Sequence, residues 1–287
     1  MDAILSKLGQ DMQLRGLTPK TQARYRSAAA DYLRHVGKPA DETCEADVRE
    51  YLLHLRGERG LADTSSNQHL SMLMFLYEVT LGRRMNRRQI PYAKRRGRLP
   101  RVLSMDEVAS VPGACTSIRQ RAFLEIAYSA GLRVSEVAAL KVWDIDSAGM
   151  RILVRGGKGG KDRFSLLDPQ CLATLRRYWA ECRPGNPEGW LFPGRGGRRS
   201  QHISVRTIQD SFKRALGASG VRPDGATMHT LRHCFATHLL EGGAGLLDIK
   251  ELMGHASLSS TLVYLHLANM ADRVRSPLSA LMERRRP

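Results

Sequence analysis

Cysteine is scarce in this chain. Five residues of 287 (Cys44, Cys115, Cys171, Cys182 and Cys234) form an odd, scattered set with no CxxC pair. That argues against a disulfide framework or a zinc ribbon and fits free thiols in a reducing compartment. Long apolar runs are missing too. No stretch reaches the ~18 residues of a membrane span, so no membrane partner is expected. The N-terminal MDAILSKLGQDMQLRG lacks an uninterrupted apolar segment, so no secretory signal and a cytoplasmic location are expected. Acid is the third shortage: 28 Asp and Glu face 45 Lys and Arg, a formal net charge of +17. Such an excess points to a polyanionic partner, because cationic side chains gain affinity by releasing counterions from phosphates. An arginine-rich GC bias would give the same balance without function, so charge alone indicates nucleic acid and says nothing of chemistry. No repeat of fixed period is present.

What is there begins with helices. TPKTQARYRSAAADYLRHV offers Thr18 as an N-cap and Pro19 as the first helical residue. CEADVREYLLHLRGERG and LADTSSNQHLSMLMFLYEVTLG follow, with apolar residues three to four apart and glycines at their ends. Residues 1–82 thus read as a bundle of about four helices. Next, RRMNRRQIPYAKRRGRLPR, residues 83–101, carries nine Lys or Arg, no acid, two prolines and one glycine. It reads as an exposed basic linker running along a phosphate backbone, with Arg87, Arg88, Lys94, Arg95 and Arg96 as candidate DNA contacts. Beyond it the pattern is mixed. RQRAFLEIAYSAGLRVSEVAAL is helical, broken at Gly131, and MRILVRGGKGGKDRFSLL alternates, turns through a Gly/Lys loop and alternates again as a β-hairpin. DPQCLATLRRYWAEC, SVRTIQDSFKRALGASG and the segment from His229 onward are helical again.

That last segment, HTLRHCFATHLLEGGAGLLDIKELMGHASLSSTLVYLH, holds five histidines. His229 and His233 are four apart, as in the zinc motif HExxH, but Thr230 stands where the glutamate belongs and Arg232 would set a cation beside a dication. No metal is therefore expected. Arg133 in AGLRVSEVAAL and Arg232 in HTLRHCFATHLL have apolar surroundings in which an unpaired charge is costly. Guanidinium forks suit phosphate oxygens, although a structural ion pair, for Arg133 with Glu136, is the plainer alternative. With Tyr264, Lys158 and His229 these arginines make a chemically coherent set. A tyrosine oxygen attacks phosphorus when fixed cations meet the developing charge and a proton reaches the leaving oxygen.

AGLRVSEVAALKVWDID, RGGKGGKDRFSLL, HTLRHCFATHLL and LMGHASLSSTLVYLH together resemble the tyrosine recombinases, the family of phage integrases and Xer-type recombinases. LPRVLSMDEV and GWLFP resemble that family's catalytic domain, and MQLRGLTPKTQARYRSAAADYL its helical core-binding domain. The resemblance spans nearly the whole chain, with His229 three residues before Arg232, His255 23 after it, and Tyr264 nine after His255.

The implied fold is mostly α with a small antiparallel β-sheet (α+β). It comprises a SAM-like helical core-binding domain over residues 1–82, a linker over 83–100 and a mixed catalytic domain over 101–287 that ends in a tail helix. The implied chemistry is metal- and ATP-independent, with no cofactor. Arg133 and Arg232 would clamp the scissile phosphate. Lys158, with Lys161 as the alternative, would protonate the departing 5′ oxygen. His229 would move the proton of Tyr264 or hydrogen-bond the phosphate, His255 would bond a non-bridging oxygen, and Tyr264 would attack to give a 3′-phosphotyrosine. Glu136 would position Arg133. His233 and His238 are read as packing or supporting groups, Tyr128 as core, and His266 is given no role. Strand exchange would pass through a Holliday junction between double-stranded DNA sites held by a homo-oligomer, a tetrameric synapse. A DNA-bending protein or a second recombinase stays open as a further partner. A type IB topoisomerase-like relaxing enzyme and a catalytically silent DNA-binding regulator are the competing readings.

Overall fold

The computed structural model describes residues 2–94, 101–156, 161–182, 185, 188–194 and 201–267. Arg95, Arg96, Lys158 and the expected tail helix lie outside them. The chain divides into two compact units, Met1–Arg98 and Leu99–Pro287.

In the first unit α1 (Asp2–Leu14), α2 (Pro19–Val36), α3 (Glu45–Gly57) and α4 (Asp63–Phe75) follow in order, and α4 runs on into a π-helical turn at Leu76–Thr80. The start of α2 follows from its first residues. Thr18 is extended (φ −62°, ψ 151°), its hydroxyl accepts from the Thr21 N–H at 3.3 Å, and Pro19 opens the helix where no intrahelical N–H bond is needed. Leu8, Tyr32, Tyr51, Leu55, Leu73 and Tyr77 fill the core, each 0–1% exposed. At roughly 1.5–3 kcal/mol for each fully buried large apolar side chain, these contacts hold the bundle together. The segment read as an exposed linker is in part anchored. Met85 and Ile90 are buried in this core, and the Asn67 amide bonds the Ala93 carbonyl (3.0 Å) and N–H (2.8 Å). Its apolar residues, sparse among the arginines, hold residues 83–94 to the first unit. Arg87, Arg88 and Lys94 are exposed, Arg87 pairing with Glu78 at 3.1 Å.

The second unit is mostly helical around one small sheet. Its helices are α5 (Met105–Gly113), α6 (Ile118–Ser129), the short α7 (Val134–Ala138), α8 (Pro169–Cys182), α9 (Val205–Ala218), α10 (Met228–Glu241), α11 (Leu246–Met253) and α12 (Ser259–Leu262). A 3₁₀ turn at Val263–His266 follows. Strands β1 (Ile145–Asp146), β2 (Arg151–Val154) and β3 (Arg163–Leu166) form an antiparallel sheet in the order β1-β2-β3. The expected hairpin is β2–β3, in the register Arg151↔Leu166 to Val154↔Arg163. One core is built on Phe123, Leu124, Ile152, Phe192 and Phe212, and a smaller one joins Phe235, Ile249, Met253 and Tyr264. Among the described residues no helix is long and apolar enough to cross a membrane.

Candidate active site

Gly131 sets the geometry of the site. It is left-handed (φ 58°), and a Cβ there would stand 2.2 Å from Cδ1 of Phe235 on α10. Only glycine lets α6 turn into α7 this close to α10. Two residues on, Arg133 is the extended N-cap of α7. Its backbone N–H donates to Glu136 Oε2 at 2.7 Å and its Nη1 to Oε1 at 2.8 Å, so the side chain is aimed by the carboxylate three residues later. Its partner cation comes from α10. Arg232 is 1% exposed, and its guanidinium donates to the Gly131 and Met253 carbonyls and lies 3.8 Å from Glu136. Glu136 also holds a residue that the sequence did not single out. Arg163, at the start of β3, makes a two-pronged bond to Glu136 at 2.9 Å on each arm and donates through Nε to the Leu252 carbonyl at 2.8 Å.

Three guanidinium groups therefore gather on one carboxylate whose side chain is 8% exposed. Burial works to raise the Glu136 pKa, but bonds from Arg163 and the Arg133 N–H overcome it and leave the carboxyl at about 2. Burial, with Arg133 adding to it, lowers Arg232 to about 10, so it stays charged at neutral pH. A local surplus of positive charge this strongly desolvated is a seat for an anion.

Tyr264 completes the site from the 3₁₀ turn after α12. It is 2% exposed and packed in the smaller core with Phe235 and Met253. Burial raises its pKa, while the fields of Arg232 and Arg133 work the other way. Gly254, left-handed (φ 59°, ψ 47°), ends α11 and turns the chain so that His255 lies against the tyrosine, rings stacked at 6.1 Å and 13° apart. The Nδ1 of His255 and the Thr261 hydroxyl share a 2.9 Å hydrogen bond, which fixes the ring. Burial, then Arg232 and Arg133, push His255 down to about 4. His229 opens α10, where the Thr227 cap accepts its backbone N–H at 3.2 Å.

A further contact comes from His233, which the sequence read as a packing or supporting group. Its Nδ1 shares a 3.2 Å hydrogen bond with the Tyr264 hydroxyl, and its ring meets that of His229 edge-on at 4.7 Å. The four-residue spacing that had raised the zinc question puts both rings on one face of α10, and the His233 ring meets that of Tyr264 at 5.7 Å. His238 does pack: it is 7% exposed and bonded to the Tyr128 hydroxyl (2.9 Å) and the Leu103 carbonyl (3.0 Å). Lys161 is exposed beside the hairpin turn. Among the described residues no three His, Cys, Asp or Glu side chains form a metal-ligand group.

The matching family models are the phage integrase family, over residues 101–270, and the phage integrase N-terminal SAM-like domain, over 4–87. The integrase/recombinase y4qK of Sinorhizobium fredii is 37% identical over 283 residues, 98% of this chain and 90% of that protein. The tyrosine recombinase XerD of Mycobacterium tuberculosis is 34% identical over 280 residues, covering 87% of this chain and 88% of the relative. Among solved structures, the XerH site-specific recombinase bound to palindromic difH substrate, a post-cleavage complex, has a similar fold. It matches with a TM-score of 0.73 at 20% identity, over 91% of this chain and 80% of that one.

Proposed function

Because this chain belongs to the phage integrase family of tyrosine recombinases, we propose that it is a site-specific recombinase of double-stranded DNA that cuts and rejoins strands through Tyr264. One observation carries the reading: a buried tyrosine lies in the fields of Arg232 and Arg133, two of three guanidinium groups that share a single carboxylate. A scissile phosphodiester seated between Arg133 and Arg232 would supply the missing negative charge. The same arginines would hold the further charge that develops as phosphorus becomes pentacoordinate.

The residue roles follow from position. Glu136 aims Arg133, and Arg163 fixes Glu136. With Thr261 donating to its Nδ1, His255 carries its proton on Nε2 and donates a hydrogen bond from it to a non-bridging oxygen. His229, the exposed residue in the otherwise buried first turn of α10, hydrogen-bonds the phosphate. Tyr264 Oη attacks phosphorus, the bond to the 5′ oxygen breaks, and a lysine of the β2–β3 turn, Lys158 or Lys161, protonates that oxygen. The phosphotyrosyl ester retains the diester's energy, so a 5′ hydroxyl from a partner duplex can reverse the step without ATP or a metal. Two such exchanges pass through a Holliday junction in a tetramer of this chain. Arg87, Arg88 and Lys94 add sequence-independent phosphate contacts.

The test uses nicked duplexes cut from the DNA flanking the gene, with the nick placed so that the short 5′-hydroxyl fragment escapes. The expected result is a covalent protein–DNA band on a denaturing gel that maps to Tyr264 and vanishes in Tyr264→Phe. Flanks exchanged between two duplexes mark recombination, and resealing of the same strand alone marks a relaxing enzyme. Tight binding with no adduct would place the chain among DNA-binding regulators.

A further inference from the structure

Resting on the strand-cleavage reading, we infer that His233, rather than His229, is the group that takes the proton from Tyr264. Among the described residues, the imidazole rings in contact with the tyrosine ring are those of His233 and His255. The Nδ1 of His255 is committed to Thr261 at 2.9 Å. Among the described residues, the Nδ1 of His233 is the basic nitrogen hydrogen-bonded to the Tyr264 oxygen, at 3.2 Å, which satisfies the geometric requirement for a general base. His229 meets His233 edge-on, and among the described residues no hydrogen bond joins its side chain to Tyr264.

The surroundings explain when the base works. His233 faces His229 and Arg232 on its own helix, and Tyr264 and His255 across from it. Burial first, then His229 and Arg232, bring its pKa down to about 4, so at neutral pH the ring is uncharged. With the proton on Nε2, its Nδ1 lone pair accepts the tyrosine O–H. Without a substrate the phenol keeps its proton, because burial raises Tyr264 and burial, with His229 and Arg232 adding to it, weakens His233. A phosphodiester on Arg232 cancels part of that charge and makes His233 more basic only when a substrate is present. The step balances: the Oη–H bond breaks as the Oη–P bond forms, the proton moves to His233 Nδ1, and the P–O5′ bond breaks with a lysine proton going to O5′. Religation runs the same transfers backward, His233 returning the proton to Tyr264.

The test measures single-turnover cleavage of a nicked duplex that the wild type cuts. His233→Asn places an amide oxygen near the position of Nδ1, so the hydrogen bond to Tyr264 survives while the proton sink is lost. Cleavage should fall by about 100-fold or more with DNA affinity unchanged. A substrate with sulfur in place of the 5′ bridging oxygen needs no protonated leaving group. It should rescue lysine variants of the hairpin turn but leave His233→Asn slow. Added imidazole should partly restore His233→Ala. Nitrogen-15 NMR of the wild type, which needs no variant to fold, should show His233 as the Nε2–H tautomer at neutral pH. Cleavage by His233→Asn within about threefold of wild type, rescue of that variant by the sulfur substrate alone, or an Nδ1–H tautomer would each overturn the assignment. Absence of any adduct from wild-type protein bound to the same duplex would instead remove the cleavage reading itself.

Discussion

In the first unit, the hydroxyls of Tyr32, Tyr77 and Thr43 lie in the core and bond one another in a chain that ends on the Ala40 carbonyl, Tyr32 to Tyr77 at 2.6 Å and Thr43 to the carbonyl at 2.8 Å. In the second unit the polar cluster around Glu136 is ionic, with Arg232 at 1% exposure in it, and its positive charges outnumber the negative. Both arrangements satisfy hydrogen bonds, yet only the first is complete in itself. A closed hydroxyl chain serves the fold. An open surplus of guanidinium charge makes sense only with something brought to it from outside, since desolvated charge without a counterion costs stability.

Four substitutions or conditions test that contrast, in descending order of free energy. Glu136→Gln leaves three guanidinium groups without their carboxylate. Unfolding stability should drop by about 3–5 kcal/mol, measured by urea denaturation, and added phosphate or DNA should recover part of it. Wild-type stability should depend on acid for the same reason. Glu136 falls from 4.5 in an ordinary setting to about 2 in the fold. A depressed carboxylate contributes fully above pH 4.5 and loses its contribution as pH falls toward 2. The change is roughly 3 kcal/mol, seen as the difference between wild-type and Glu136→Gln denaturation curves across that window. Arg232→Lys keeps the charge but not the planar fork, and strand cleavage should slow by about 100-fold or more while DNA affinity holds. Tyr77→Phe breaks the hydroxyl chain of the first unit. It should cost about 1 kcal/mol of stability and leave single-turnover cleavage unaltered. If Tyr77→Phe slowed cleavage as Arg232→Lys does, the division between the two kinds of burial would fail.

Much of this was legible in order along the chain. Thr18 and Pro19 announced α2, the two alternating runs around the Gly/Lys turn announced β2 and β3, and Gly131 marked the break between α6 and α7. Each is a local signal, written within a few residues. The arginines and Tyr264 were singled out because their motifs resembled a known set, and the fold brings them together. The contacts of Arg163 and His233 were not legible. Arg163 opens a strand and looks like one more surface cation until the fold brings β3 to α7 and α11. His233 was visible through its spacing from His229, but spacing gives a helical face and not what that face meets. The anchoring of residues 83–94 was masked by their arginines, since the holding contacts come from two apolar side chains, Met85 and Ile90, and from Asn67.

Arg232 holds together the Gly131 turn and the end of α11 through their carbonyls, besides any part it takes in chemistry. A descendant of this chain that gave up cutting DNA would still need that arginine to keep its shape. The hydroxyl of Tyr264 and the imidazole of His233 bond each other, so a paired change that removed both would leave neither unsatisfied. Among such descendants the arginine is a poor witness to activity.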